Sequence, residues 1–173
     1  MSLLRRLFGG GVPDELAGEL AAGEHVAGSA PVDGGGLVAV TPLGLWVPAG
    51  DGFRRIGWHL VSKAVWRDAV LEITEAEETG SAGEAVLLSD RAPVRFRLSR
   101  PGALPKQVQQ RVDGSIRSRH REELPGGGAW FVVRKVPGRD GVVLQVRPDP
   151  GVDADLVAGI AADAAAKLAT QPP

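Results

Sequence analysis

Between residues 37 and 76 the chain reads LVAVTPLGLWVPAGDGFRRIGWHLVSKAVWRDAVLEITEA, and no other stretch limits its possible folds so tightly. Short apolar runs recur there at intervals of about ten residues, separated by turns rich in Gly, Pro and Asp. Strands are expected at 37–41, 45–48, 54–58, 64–67 and 70–74. In the first of them Leu37, Ala39 and Thr41 share one face and Val38 and Val40 the other. Both faces are apolar, so this strand should be buried on both sides. The spacing indicates an antiparallel meander or small barrel and argues against a parallel α/β sheet.

The flanking segments extend the pattern. A helix is expected at 13–22, opened by Pro13 and acidic in its early turns, followed by a strand at 25–32 and a glycine turn at 33–36. Residues 77–83 read as a polar turn, and 85–88 and 94–98 as a hairpin in which Arg95 and Arg97 alternate with Val94, Phe96 and Leu98. Leu104, Val108, Val112 and Ile116 are each four apart, which predicts one long amphipathic helix over 105–124. Gly114 weakens that helix by about 1 kcal/mol relative to alanine and is the kind of residue that marks close packing. Two further strands, 130–136 and 142–147, flank the turn sequence PGRDG. A last helix, 156–170, has Asp153 or Asp155 as its cap and Leu156, Ile160, Ala164 and Leu168 along one side.

This order of strands closed by an amphipathic helix resembles the pleckstrin-homology-like barrel. The stretches GLVAVT (36–41), GLW (44–46), RIGW (55–58) and AVW (64–66) also resemble a family of small actinobacterial proteins with such a domain and no assigned function. The resemblance spans residues 24–124 and implies an α+β fold: an antiparallel β-barrel closed by an amphipathic helix, here with a C-terminal β-hairpin and helix added. The expected organisation is an N-terminal helical segment (1–23), the barrel with its helix (24–124), and an extension (125–173) packed on the same domain or across a homodimer. Lipid-binding members of the superfamily carry a basic cluster in the first strands and loop. This chain has almost no basic residue there, so phosphoinositide binding is not implied.

The 173 residues include no cysteine, which removes disulfide and thiol chemistry and fits a cytoplasmic location. The apolar residues of the amino terminus (Leu3, Leu4, Leu7, Phe8) are interrupted by Arg5 and Arg6, unlike a secretory signal. That terminus is expected to pack or fray, with a membrane or partner contact as the alternative. Charge is unevenly spread: residues 91–121 hold 9 basic side chains against Asp113 alone, whereas residues 1–90 hold 6 basic and 13 acidic ones. If 105–124 were one helix, Lys106, Arg117 and Arg121 would lie opposite the apolar stripe, with Arg111 and Arg119 flanking it. These three residues are the candidate partner-binding or anion-binding face.

Catalytic signals are weak. His25, His59 and His120 lack metal-binding spacing, no glycine cluster has the phosphate-cradle pattern, and His59 near Ser62 has no evident orienting acid. No catalytic residue, metal or cofactor is expected. Of the four tryptophans at least three are expected in the core. The leading expectation is a non-enzymatic interaction module with a protein partner. A nucleic-acid or anionic-membrane binder acting through 91–121 is the alternative, although Phe96 is the sole aromatic in that stretch. A hydrolase of unknown substrate comes third.

Overall fold

In the computed structural model, which describes residues 12–172, the chain is mostly strand with two α-helices, an α+β protein. The expectations for residues 1–11 lie outside the described residues. Strands β1 (Gly28–Pro31), β2 (Leu37–Val40), β3 (Gly44–Ala49) and β4 (Gly52–Gly57) form one antiparallel meander. All four residues of β2 are buried, as their apolar alternation on both faces requires. Gly44 is demanded by close approach, since a Cβ there would lie 2.3 Å from the Ile56 carbonyl oxygen on β4.

The second sheet begins with β5 (Val61–Arg67) and β6 (Val70–Ala82), joined by a two-residue turn in which Asp68 and Ala69 both take positive φ. β6 is thirteen residues long, so the expected polar turn at 77–83 is instead mostly strand. Nor do 85–88 and 94–98 pair with each other. β7 (Ala85–Asp90) and β8 (Val94–Arg97) are successive antiparallel partners of β6, interrupted where Pro93 has no N–H to donate.

The largest correction falls on the long helix. Helix α1 is Leu104–Ser115, and residues expected to continue it form strand β9, Ile116–Leu124. Leu104, Val108 and Val112 are buried as the stripe predicts, but Ile116 leaves the helix and pairs with Arg134. Gly114 does not mark close packing, because a Cβ there would meet nothing within 4 Å. β9 pairs with β10 (Gly127–Lys135), β10 with β11 (Val142–Pro148), and β11 with β7 in parallel. The hairpin extension is thus joined to the rest of its own chain through β7.

Three apolar clusters result. The first lies between the meander and β5, β6 and β8, where α1 inserts its buried stripe beside Leu45, Ile56, Trp58 and Leu71. The second lies between the β7–β11–β10 part of the sheet and helix α2 (Ala154–Ala169). Asp153 caps α2 as expected, accepting from the Leu156 N–H at 2.8 Å. The helix presents Val157, Ala161 and Ala165 to the sheet, one position away from the expected line, and Leu156 is 39% exposed. Alanines at 161 and 165 let the helix axis come close to Phe131 and Val146.

The third cluster covers the outer face of the meander, where Leu16 packs with Leu37, Ala39 and Trp46. Here the expected 13–22 helix shrinks to a single 3₁₀ turn, Asp14–Leu16, and Gly18 at φ +88° turns the chain away. Two of the tryptophans, Trp46 and Trp58, are buried; Trp66 is 40% exposed and Trp130 half-buried, so the expectation of three in the core fails. Both buried indoles are satisfied, Trp58 donating to the Thr41 carbonyl at 2.8 Å and Trp46 to Glu24 at 3.0 Å.

Candidate anion-binding basin

Side chains alternate across β10. Ala129, Phe131 and Val133 face α2, while Trp130, Val132 and Arg134 face the other way. The β10–β11 register sets Arg147 opposite Trp130 and Gln145 opposite Val132, and the β9 register adds Arg119 opposite Val132. This second face looks across to β5. Between them is a cavity of about 380 Å³ whose wall carries Lys63, Arg119, Arg134 and Arg147 against the single carboxylate of Asp90.

Arg134 is the floor of this basin and is 4% exposed. No carboxylate pairs with it among the described residues. Its guanidinium donates to the Val61 carbonyl at 2.9 Å, the Trp58 carbonyl at 2.8 Å, and the Ser115 hydroxyl at 2.7 and 3.1 Å. Ser115 in turn donates to the Val112 carbonyl at 2.7 Å. The guanidinium therefore sits at the C-terminal end of α1, where the helix dipole favours a cation. Burial, with Arg147 nearby, pushes its pKa down to about 10, so it stays charged at neutral pH. It is a fixed positive charge, held by neutral acceptors that leave its charge uncancelled.

The rim cations are held by fewer contacts than Arg134. Arg147 lies 3.5 Å from Asp90, which offsets one cation. Arg119 stacks over the Trp130 ring at 5.0 Å, a cation–π contact that leaves its charge available at the cavity wall. Lys63 is exposed on β5 and makes no ion pair among the described residues. A second, more open cleft of about 600 Å³ lies on the other side of the α1–β9 junction, with Arg111, Lys135 and Arg139 on its wall. Those three cations are at or near the surface, without a buried anchor comparable to Arg134.

The structure does not bring Lys106, Arg117 and Arg121 onto one helical face. Lys106 is exposed on α1, whereas Arg117 and Arg121 belong to β9. Arg121 is bound by Asp149 at 2.6 Å and Glu123 at 2.8 Å, and these hydrogen bonds raise its pKa further. The same contact, with the Gly128 N–H, holds the Asp149 carboxyl below its ordinary value. Other members of the basic stretch are also engaged: Arg91 with Glu77 at 3.0 Å and Arg95 with Glu72 at 2.7 Å. The two residues set beside the stripe fare differently, since Arg119 lines the basin and Arg111 the open cleft.

Sequence reasoning missed Lys63, Arg134 and Arg147. One signal was present: Arg134 follows directly on the apolar run 129–133 and shares strand parity with Trp130 and Val132, where a charge demands a partner or a purpose. His59 and Ser62 do not form a base–nucleophile pair. The Ser62 hydroxyl donates to the Thr74 carbonyl at 3.2 Å, and His59 Nδ1 is buried without a partner among the described residues. Burial lowers the His59 pKa, with Arg134 adding to the effect. No group of three or more His, Cys, Asp or Glu with metal-binding geometry occurs among the described residues. No helix among them is long and apolar enough to cross a membrane. Neither a family model, nor a curated protein, nor a solved structure matches this chain.

Proposed function

We propose that this protein is a non-enzymatic, cytoplasmic interaction module on a pleckstrin-homology-like frame, which holds an acidic segment of a partner protein in the basin. The frame reading is supported by the four-stranded meander packed on β5, β6 and β8 around one core, with α1 laid into it. The single observation that carries the function is the convergence of Lys63, Arg119, Arg134 and Arg147 on one cavity against Asp90 alone. An anion entering there gains from several cations at once, and from a buried guanidinium whose position is already fixed.

The nucleic-acid or anionic-membrane reading draws less support. Its three proposed contacts are divided between a helix and a strand, and Arg121 is already neutralised by two carboxylates. A glutamate-rich peptide and a short single-stranded DNA, each titrated into the full chain, separate the readings. The peptide should bind, and Lys63→Glu with Arg119→Glu should weaken it by about tenfold or more. Lys106→Glu with Arg117→Glu should leave peptide binding unchanged. Loss of binding in the second variant but not the first would overturn the basin reading.

A further inference from the structure

β9 ends the seven-stranded sheet: β10 pairs with one of its edges, and the other has no strand beside it among the described residues. It is nine residues long, and residues 117–120, 122 and 123 are exposed. Edge strands that avoid association are short, bulged, interrupted by proline, or guarded by lysine. β9 has neither proline nor lysine, and its one bulge, at Arg117 between the paired residues Ile116 and Ser118, lies at its start and leaves Ser118–Leu124 in regular register. Its charges are divided along its length: Arg117, Arg119 and Arg121 come first, then Glu122 and Glu123. A uniformly charged edge would repel a copy of itself. A strand basic at one end and acidic at the other is complementary to itself when turned antiparallel.

We propose that β9 pairs antiparallel with β9 of a second copy of this chain about a dyad at Arg121, continuing the sheet across two subunits. A dyad normal to the sheet keeps each face on its own side, so facing residues must share parity. In this register Arg119 stands opposite the second copy's Glu123, and His120 opposite its Glu122, and each contact occurs twice. Within one chain Glu123 already bonds Arg121 at 2.8 Å and Glu122 already bonds His120 at 2.6 Å. Pairing therefore extends existing contacts into a network of alternating sign. The two Arg121 side chains meet near the dyad, each with its own Asp149 at 2.6 Å. Centring the dyad on His120 instead would set Arg119 against the second copy's Arg121 twice. The pairing uses the same edge of both copies about a dyad, so it is closed and assembly through β9 stops at two.

Reversing one charge at a time tests this register. Light-scattering mass measurements over a concentration series should show a dimer for the natural chain. Arg119→Glu alone and Glu123→Arg alone should each dimerise at least about tenfold more weakly, because each sets like charges opposite one another. An equimolar mixture of the two variants should recover the dimer, since every facing pair is again complementary. If either variant loses its far-UV circular dichroism, His120→Glu and Glu122→Arg provide the same test on the opposite face. A natural chain that stays monomeric throughout overturns the proposal. So does dimerisation unaffected by the reversals, or a mixture of folded variants that fails to recover it.

Discussion

Glu24 shows how one side chain fixes a segment that has almost no regular structure. Its carboxylate is fully covered and accepts from Ala21 N–H at 2.9 Å, Thr41 hydroxyl at 2.6 Å, Trp46 indole at 3.0 Å and Arg55 guanidinium at 2.6 Å. Burial alone would raise its pKa; the hydrogen bonds from Thr41, Ala21 and Trp46 and the Arg55 charge outweigh it and hold it below the ordinary 4.5. A depressed carboxylate stabilises the fold fully above its unfolded pKa, and that contribution is lost as pH falls through the lower folded value. An acid titration followed by tryptophan fluorescence should therefore show the N-terminal segment loosening below about pH 4.5. Glu24→Gln should remove that component and cost about 1–2 kcal/mol at neutral pH, measured by chemical denaturation. None of this was legible in the sequence. Glu24 stands 17 residues from Thr41 and 31 from Arg55, and no local pattern links them.

At the scale of elements, the α1–β9 junction separates what periodicity reveals from what it conceals. Leu104, Val108 and Val112 obey the helical period because they fill a core, and Ile116 continues that period by coincidence of spacing. The sequence RSRHREE has no apolar alternation, so nothing local marks β9 as a strand; its conformation is imposed by the ladder to β10. By contrast β2 was readable, since apolar residues of both parities demand cover on both faces. Gly114, in the last turn of α1, has open space where a Cβ would sit and shows no positive φ. Gly114→Ala should therefore stabilise the protein by about 0.5–1 kcal/mol, through a less flexible unfolded chain. Thermal denaturation should show this as a rise of about 1–4 °C in Tm.

Across the whole molecule, Arg134 clasps the two ends of the seven-stranded sheet together. It belongs to β10, yet its acceptors come from the 3₁₀ turn Trp58–Leu60, the start of β5 and the end of α1. Arg134→Leu would fill much of the space but strand the Trp58 and Val61 carbonyls, costing about 2–4 kcal/mol in a denaturant midpoint experiment. Arg134→Lys should recover part of the loss, because an ammonium supplies a charge without the planar fork. The basin was illegible for the same reason the clasp was. Lys63, Arg119, Arg134 and Arg147 lie on four different strands, and only the parallel joining of β11 to β7 brings them together.

The thirteen residues of β6 belong to both cores: Leu71 and Ile73 sit in the first, Ala82 in the second. A protein built from two stacked layers would ordinarily offer a seam along which recombination could trade one layer for another. Here any such exchange would cut a strand in half and leave each layer without a wall. The two layers can change only together, so substitutions that leave the frame intact are expected in its turns and on the rim of the basin, where a new partner can be accommodated without rebuilding either core.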